Sequence, residues 1–486
     1  MKLDELLQPW VQTPLPEAQV TGIQNNSRAV SKGDLFIAYP GAAADGRLYI
    51  EQAVNSGAAA VIFEPADLPK VVKLPSHIPC IAIPNLAQHL AAIGNHFFGY
   101  PSQHMAMTGV TGTNGKTTIA FQLAQAYELL GQSAAYIGTI GQGKPKTLTP
   151  LINTTPDAIH LQHFLHDCKQ QGVKHVCMEV SSHALHQNRV EGIDFTQAIY
   201  SNLSHEHLDY HHTLEAYAEA KARLFAWPTL ETAVFNNDDQ YAPLMGSKVP
   251  RKCKILSYGL NYGSDVRGFN AQLSMAGSYF AVECPWGFLE VKSKTLGTFN
   301  VYNSLAILSS LLARGFEPKS IVDALQQIEP APGRMQVVVQ EPYVIVDYAH
   351  TPDALKSVLS ALIKLNKGRL IVVFGCGGDR DKLKRPIMGQ IAAEYGDILI
   401  ITNDNPRTED PAQIISEIEQ GIKKEVTTYK IMDREQAIKK AISLANSQDV
   451  ILVAGKGHED YQQIGHEKHD FSDQEVVEKL LNTTFI

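Results

Sequence analysis

Short apolar runs of strand length recur along the 486-residue chain. They lie at residues 34–38, 59–63, 105–107, 175–180, 198–200, 232–235, 343–346, 370–374, 397–402 and 450–454. Apolar residues at helical spacing separate several of the runs in the middle of the chain and the runs after residue 343. This alternation predicts an α/β protein with parallel sheets, doubly wound in the last third.

Two proline-containing breaks divide the pattern. They are Pro101-Ser102 and Pro330-Ala331-Pro332-Gly333, and such residues usually mark loops between units. A chain of 486 residues is also long enough for about three domains. We expect a small N-terminal α/β domain at 1–103, a central P-loop ATPase-like parallel-sheet domain at 104–333 and a C-terminal Rossmann-like doubly wound domain at 334–486.

Composition narrows the class of protein. Hydrophobic residues make up 44% and charged residues 19%, so the chain can bury a large core. A net charge of −8 argues against a nucleic-acid partner. The six cysteines form no CxxC pair, the start lacks an apolar leader, and no run has membrane-spanning length. We therefore expect a soluble, cytosolic monomer with reduced thiols and small-molecule substrates.

The motif most specific for a function is a glycine-rich segment. It follows the apolar run at 105–107 and precedes a helical pattern that ends at Gly131. The sequence there is Thr108-Gly109-Val110-Thr111-Gly112-Thr113-Asn114-Gly115-Lys116-Thr117-Thr118. A glycine-rich turn between strand and helix directs backbone N–H groups at phosphates, with Lys116 on the terminal phosphates and Thr117 on Mg²⁺. Val110 occupies the first glycine position of GxxxxGK[ST], so the loop is a variant. The alternative is a Gly/Thr-rich loop that binds nothing.

Polar residues follow two further strands of the central domain. Glu179 ends the run at 175–180, where a carboxylate beside a phosphate loop could hold Mg²⁺. The segment 202–212 is dense in histidines and acids, which suits metal or phosphate contact. The alternatives are a solvated strand-end glutamate and an ordinary surface loop.

Lys221 interrupts an apolar helix face. Its neighbours at helical spacing are Leu214, Tyr217, Ala218, Leu224 and Phe225. Burying an unpaired ammonium is costly, so this lysine must reach solvent, pair with an acid or change chemically. A deprotonated lysine can add CO₂, and the resulting carbamate is an anion able to ligate Mg²⁺.

Three strands of the C-terminal domain end in charged loops, at 375–381, 403–407 and 455–460. Ligands of open α/β sheets bind at such strand ends. Arg380 and Arg407 accompany Asp404 and Glu459 there, a set that suits an amino acid whose far end carries both a carboxylate and an ammonium. The alternative is a set of surface ion pairs of little energetic value.

Taken together, these motifs resemble those of the Mur ligases, the ATP-dependent amide-forming enzymes of peptidoglycan assembly. The resemblance covers nearly the whole chain. It rests on Gly112-Thr113-Asn114-Gly115-Lys116-Thr117-Thr118, Met178-Glu179-Val180-Ser181-Ser182-His183, Asn202 to His211, Ala220-Lys221, Asn300-Val301-Tyr302-Asn303, Pro332-Gly333-Arg334 and Asp347-Tyr348-Ala349-His350-Thr351-Pro352. One departure is His205-Glu206, where the family usually has Arg-Asp.

The resemblance implies a role for each matching residue. It implies catalytic roles for Lys116, Glu179, His207 and Lys221, and a metal shell of Thr117, Glu179, His207 and Lys221 as its carbamate (N6-carboxylysine). It implies that ATP is bound by Gly112, Thr113, Asn114, Gly115, Lys116, Thr117, Thr118, Asn300, Arg334 and Asp347. The cofactors implied are ATP and Mg²⁺.

The family likeness also implies two further substrates. UDP-N-acetylmuramoyl-L-alanyl-D-glutamate would contact Asn25, Ser27, Ala42, Ala43, Ala44, Asn153, Thr154, Thr155, Ser181, Gln187 and Arg189. The incoming amino acid would contact Arg380, Asp404, Asn405, Pro406, Arg407, Gly455 and Glu459. In the family, Asp-Asn-Pro-Arg at this place accompanies meso-diaminopimelate, and lysine-adding members lack the arginine. A lysine-adding ligase, a folylpolyglutamate synthetase-like ligase and a non-ligase nucleotide switch remain as alternatives.

Overall fold

The computed structural model describes residues 1–41, 44–151 and 153–482. It contains two compact units, each built from several stretches of chain. Unit 1 comprises residues 1–112, 131–233 and 241–255, and unit 2 comprises 113–130, 234–240 and the remainder from 256. No helix in the described ranges is long and apolar enough to cross a membrane. Ala42 and Ala43 lie outside the described residues, so their expected ligand contacts have no structural description.

A parallel sheet forms the first part of unit 1. Its strands, in spatial order, are β1 (Gly22–Gln24), β2 (Asp34–Ala38), β3 (Ala60–Phe63) and β4 (Cys80–Ala82). The helices are α1 (Leu3–Leu7), α2 (Ile50–Asn55) and α3 (Leu86–Phe97). Strand β2 is buried on both faces, with Leu35 and Ile37 in the cluster of α1 and α3 and Phe36 in that of α2. Its unbroken apolar run therefore gives the expected buried parallel strand.

The middle of the chain contains strands that pair in parallel and strands that pair antiparallel. They are β5 (Ala106–Thr111), β6 (Ala134–Gly138), β7 (Gly141–Lys144), β8 (Thr147–Thr149), β9 (His175–Glu179), β10 (Phe195–Tyr200), β11 (Thr232–Asn236), β12 (Lys254–Gly259), β13 (Val266–Ser274), β14 (Gly277–Cys284) and β15 (Gly287–Ser293). The helices are α4 (Lys116–Leu129), α5 (Ala158–Gln170), α6 (Ser182–His186), α7 (Leu208–His211), α8 (Leu214–Ala222), α9 (Ala242–Lys248), α10 (Thr298–Ala313) and α11 (Pro318–Gln327).

Within unit 1 the middle strands lie in the order β10-β5-β9-β6-β7-β8. The pairs β10–β5, β5–β9 and β9–β6 are parallel, which confirms the predicted parallel sheet. Strands β7 and β8 add an antiparallel edge. Within unit 2, β13, β14 and β15 form an antiparallel meander that the apolar runs did not indicate.

The C-terminal part of unit 2 is doubly wound. Its strands are β16 (Gln336–Gln340), β17 (Tyr343–Asp347), β18 (Leu370–Phe374), β19 (Ile398–Ile401), β20 (Thr427–Lys430), β21 (Val450–Ala454), β22 (Tyr461–Ile464) and β23 (Glu467–Asp470). The helices are α12 (Pro352–Leu365), α13 (Lys384–Tyr395), α14 (Pro411–Glu419), α15 (Arg434–Leu444) and α16 (Asp473–Asn482). The sheet order is β16-β17-β21-β18-β19-β20, and only β16 pairs antiparallel.

Helices cover both faces of this sheet. Helices α12, α13 and α14 share one buried cluster with the strands, and α15 and α16 share the other. Local sequence sets where several helices begin: Thr351 and Asp410 cap α12 and α14, each just before a proline, and Asp433 caps α15. The loops after β17, β21, β18 and β19 consequently lie along one edge of the sheet.

We expect Asp473→Ala to cost about 3–5 kcal/mol of the stability of this sheet, because it leaves a buried guanidinium uncompensated. Arg434 and Asp473, both fully buried, join α15 to α16 with Nε to Oδ1 at 2.7 Å. Lys479→Ala breaks the exposed pair with Glu435 on the same two helices and should cost less than about 1 kcal/mol. Urea-dependent amide exchange of β21 measures both, and equal losses would contradict the argument.

Candidate active site

The phosphate loop lies between β5 and α4. Gly115 caps α4 with a φ of +89°, a conformation that favours glycine, and Lys116 begins the helix. In unit 2 a Cβ added to Gly115 would lie 2.7 Å from Oδ1 of Asn303, so the loop passes close against α10. Nδ2 of Asn303 donates to Oδ1 of Asn300 at 2.8 Å. The predicted residue Asn300 is thus beside the loop, and Asn303 is an addition to the predicted set.

The loop residues differ in exposure. Thr113, Thr117 and Thr118 are buried, Asn114 is exposed, and Lys116 lies between these extremes. The ammonium of Lys116 donates to the carbonyl of Thr113 at 2.8 Å. The lysine therefore lies over its own loop, which is where a phosphate cradle needs a cation.

Within unit 2, Arg334 reaches Thr117, and Asp347 lies behind Arg334. Nη2 of Arg334 donates to Oγ1 of Thr117 at 3.2 Å, and its guanidinium stacks 4.5 Å from the centre of the Tyr348 ring. The carboxylate of Asp347 accepts from the backbone N–H groups of Met335 and Ala349 at 2.7 and 2.8 Å. Burial raises the pKa of Asp347, and nearby Arg334 opposes that shift. Asp347 thus anchors the backbone that presents Arg334.

Glu179 ends β9 with a fully buried carboxylate. It accepts from the Tyr136 hydroxyl at 2.5 Å, from the Thr139 N–H at 2.8 Å and from the Thr139 hydroxyl at 3.2 Å. A Cβ on Gly138 would lie only 2.2 Å from Oε1 of Glu179, so glycine is required there. These donors fix the direction of the Glu179 carboxylate. Sequence reasoning found Glu179 and missed Tyr136 and Thr139, which belong to another strand and its turn.

Predicted acceptor-substrate residues gather around Glu179 in unit 1. The Thr155 hydroxyl donates to the Glu179 carbonyl at 2.9 Å and accepts from the Ser181 N–H at 3.2 Å. The hydroxyls of Thr139 and Thr154 are 3.1 Å apart. Arg189 donates from Nη1 to the Thr155 carbonyl at 3.0 Å. These contacts place a guanidinium beside a cluster of hydroxyls, a suitable place for substrate carboxylates.

The other residues predicted to contact the acceptor substrate are more dispersed. Gln187 accepts from Nε of Arg189 at 2.9 Å, and Nδ2 of Asn25 donates to Asp157 at 3.0 Å. Ser27 bonds Gln52 at 3.0 Å, Ala44 closes a turn on Gly41, and Asn153 is exposed. Burial is the main cause of the raised pKa of Tyr39. A hydrogen bond with Asn25 and the charge of Arg189 act in the opposite direction. Tyr39 therefore lies near both of these predicted residues.

Lys221 lies in unit 1 near His211, which belongs to a cluster of histidines. The Lys221 side chain is 1% exposed, and its Nζ donates to the Gly112 carbonyl at 2.7 Å and lies 4.3 Å from the Tyr217 ring centre. Burial and the neighbouring imidazoles lower the pKa of His183 to about 4 and also lower that of His211. Of the outcomes that the sequence left open, access of the ammonium to solvent is wrong, because the side chain is buried and its ammonium is held at the end of the phosphate-loop strand.

His207 caps α7 in a left-handed conformation with a φ of +56°. Its side chain is 43% exposed, it packs edge-on against His183, and its Nε2 lies 3.8 Å from the Glu206 carboxylate. Glu206 is one of the two residues that depart from the family pattern. Among the residues that the structure describes, no three His, Cys, Asp or Glu side chains are grouped to hold a metal. The carboxylate oxygens of Glu179 are nevertheless of the type that Mg²⁺ prefers.

The charged loops of the C-terminal sheet converge around Asn405. Its Nδ2 donates to Glu459 at 2.9 Å, and a Cβ on Gly455 would lie 2.5 Å from Oδ2 of Asp404. Nη1 of Arg407 donates to the Gly378 carbonyl at 2.7 Å. Pro406 is buried, whereas Arg380 is exposed. The side chains of Arg380 and Arg407 both lie beside Gly377.

Two buried arginines hold these loops together. Arg434 donates to the carbonyls of Asn403 and Ala454, the residues at the ends of two charged loops, at 3.1 and 3.0 Å. Arg385 donates to Glu409 at 2.9 Å and keeps the pKa of Glu409 at about 2. Sequence reasoning missed both arginines, because a basic residue on a helix gives no signal of what it contacts.

Arg407 itself has an unusual backbone. Its φ of +50° lies in the left-handed region, which a non-glycine residue adopts rarely. The N–H of Arg407 bonds the Gln463 carbonyl at 3.1 Å, and its carbonyl accepts from Gly465 at 2.8 Å. Backbone held in such a conformation is frequent at ligand sites. These hydrogen bonds hold the Arg407 backbone at the edge of the sheet where the charged loops converge.

A phosphate loop together with a doubly wound sheet is typical of nucleotide-binding α/β proteins. Three family descriptions match successive parts of the chain. They are "Mur ligase family, catalytic domain" at residues 19–98, "Mur ligase middle domain" at 110–311 and "Mur ligase, glutamate ligase domain" at 333–457. The chain belongs to the Mur ligase family.

Relatives match over nearly the whole chain. The UDP-N-acetylmuramoyl-L-alanyl-D-glutamate--2,6-diaminopimelate ligase of Chromobacterium violaceum is 44% identical over 464 residues, 94% of each chain. The ligase of the same name from Coxiella burnetii is 41% identical over 99% of each chain. A solved structure of a ligase of that name aligns with a TM-score of 0.71 and 39% identity, covering 100% of this chain and 99% of that one.

Proposed function

We propose that the protein is an ATP-dependent ligase that adds meso-2,6-diaminopimelate to the D-glutamate γ-carboxyl group of UDP-N-acetylmuramoyl-L-alanyl-D-glutamate. The observation that carries this proposal is the convergence of the charged loops of unit 2, where Asn405 donates to Glu459, a Cβ on Gly455 would meet Asp404, and Arg407 donates to the Gly378 carbonyl. The 44% identity to a ligase of that name supports it. The reaction belongs to cytoplasmic peptidoglycan precursor synthesis, and so serves cell-wall biogenesis, cell shape and division.

The phosphate loop and the residues around it would bind ATP. Backbone N–H groups from Gly112 to Thr118 would cradle the phosphates, with Lys116 on the terminal phosphate. Arg334, next to Thr117, would add a second cation. Asn300 and Asp347 would contact the rest of the nucleotide. Mg²⁺, held by oxygens of Thr117, Glu179 and carbamylated Lys221 together with His207, would neutralise phosphate charge.

The reaction has two successive steps, a phosphoryl transfer and then an acyl transfer. The substrate γ-carboxylate attacks the γ-phosphorus of ATP, the bond to the bridging oxygen breaks, and ADP leaves an acyl phosphate. The free amine of diaminopimelate then attacks the acyl carbon, loses a proton to solvent and expels phosphate, which leaves the amide. Lys116 and Arg334 stabilise the charge of the first transfer, while the chain otherwise contributes orientation.

The acceptor substrate would occupy unit 1. Arg189, held by Thr155 and Gln187, is oriented for a substrate carboxylate. Asn153, Thr154 and Ser181 would hold the peptide, and the loops with Asn25, Ser27 and Ala42–Ala44 would hold the uridine nucleotide.

The incoming amino acid would occupy the pocket of unit 2. Arg407 would bind the distal carboxylate of diaminopimelate, with Arg380 and Asn405 beside it. Asp404 and Glu459 would bind the distal ammonium, and Gly455 and Pro406 would shape the wall. A single terminal ammonium would not need a guanidinium in this place.

Phosphate release from ATP tests the reaction. The protein is incubated with ATP, Mg²⁺ and UDP-N-acetylmuramoyl-L-alanyl-D-glutamate, and either meso-diaminopimelate or L-lysine is added. We expect release with diaminopimelate only, together with a product of the tripeptide mass. Release with lysine only would refute the assignment of Arg407, and release with neither would refute the ligase.

Arg407→Ala should raise the KM for diaminopimelate by about 100-fold, because a charged hydrogen-bonded contact to the distal carboxylate is lost. The KM for ATP should change by less than about twofold, since the nucleotide contacts remain. Steady-state kinetics with each substrate varied in turn measures both. Lys423→Ala is the control: it removes an exposed cation of the same unit and should alter neither constant. Equal increases of the two constants in Arg407→Ala would contradict the assigned role.

Lys221→Ala should nearly abolish turnover, because no carbamate can form at the buried position. Short carboxylic acids such as acetate or formate should restore part of the activity by supplying the missing anion. Lys221→Arg keeps the positive charge but cannot form the carbamate, so it should be as inactive as the alanine variant. A fully active Lys221→Ala enzyme would contradict this role.

A further inference from the structure

Lys456 is a buried cation that the proposed reaction does not use. It follows β21, and its side chain is fully buried. Its Nζ lies 3.1 Å from Oδ1 of Asn405 and 3.0 Å from Oε2 of Glu459. The same ammonium lies 5.3 Å from the centre of the Tyr461 ring. A charge removed from water in this way needs such partners, and the partners in turn are held by it.

The orientation of the Asn405 amide follows from these contacts. Its Oδ1 accepts from Lys456 and from the Gln463 N–H, the latter at 2.9 Å. Two donors on one side require the carbonyl oxygen there, so the NH₂ group must face Glu459. Both Asn405 and Lys456 then donate to Oε2 of Glu459, at 2.9 and 3.0 Å. The carboxylate is thereby fixed through one oxygen, and Oε1 is the atom that a ligand ammonium would contact.

The positive charge of Lys456 helps to balance the carboxylates near Tyr461. Glu459, Arg407, Asp404 and Asp460 all act on the pKa of Tyr461, and the ammonium groups of Lys456 and Lys468 lie over its ring. Asp460 and Lys468 are exposed to solvent, and the four groups that are not exposed comprise two acids and two bases. The distal end of diaminopimelate has one ammonium and one carboxylate and brings no net charge, whereas the end of lysine brings one positive charge. A buried ammonium therefore penalises lysine, because like charges repel strongly at low dielectric.

We propose that Lys456 is a positioning residue that sets the selectivity of the pocket for a zwitterionic side-chain terminus over a lone ammonium. It does so by directing Asn405 and Glu459 and by balancing the two carboxylates. This inference rests on the proposed function, since it concerns the same amino-acid pocket.

Lys456→Met removes the charge and keeps the length of the side chain. We expect the ratio of kcat/KM for diaminopimelate to kcat/KM for L-lysine to fall at least about tenfold, with a higher KM for diaminopimelate. The KM for ATP should not change. Lys468→Met is the matched control, because exposed Lys468 lies 3.6 Å from the centre of the same Tyr461 ring. This control should keep the wild-type ratio.

Two further variants separate charge from folding. Lys456→Arg keeps the cation and should retain most of the selectivity, whereas Lys456→Gln keeps a hydrogen-bond donor without charge and should lose it. Lys456→Gln also replaces the methionine variant should that chain fail to fold. An unchanged ratio in the uncharged variants, or equal loss in Lys456→Arg and Lys456→Gln, would overturn the inference. Failure of the wild-type protein to use diaminopimelate would instead refute the proposed function.

Discussion

Charged side chains buried at the carboxyl ends of strands have to be compensated, and this requirement shapes both units. Glu179 in unit 1 is held by a hydroxyl and a turn from the neighbouring strand. Arg434 in unit 2 is held by Asp473 and by carbonyls from two loops. An unpaired charge in such a place would be too costly to keep. The loops that carry the candidate site are therefore fixed by the same contacts that neutralise their surroundings.

This arrangement favours ligand binding over maximum stability. The left-handed backbone of Arg407 and the close approach of Gly138 to Glu179 are local costs that the surrounding contacts offset. In return, the side chains are oriented before a substrate arrives, which lowers the entropy lost on binding. The charged loops of unit 2 and the residues around Glu179 follow the same principle, although the former use salt bridges and the latter use hydroxyl groups.

Local patterns accounted for much of the fold. Strands 34–38, 370–374 and 450–454 were predicted with the bounds that the structure has, because fully apolar runs between turns have few alternatives. The β13–β15 meander was missed, since its strands alternate between exposed and buried positions and carry charged residues. The predicted domain boundaries remain predictions.

The sequence by itself determined the phosphate loop, the strand-end loops and the place of Lys221 on an apolar helix face, because each depends on residues that are adjacent or at helical spacing. Only the tertiary structure decided which residues surround them. Tyr136 meets Glu179 across 43 residues, and Lys456 meets Asn405 across 51. Such partners come together because parallel strands bring their carboxyl ends to one edge, whatever their distance along the chain. No local pattern records that proximity, so the supporting residues of the site had to be read from the fold.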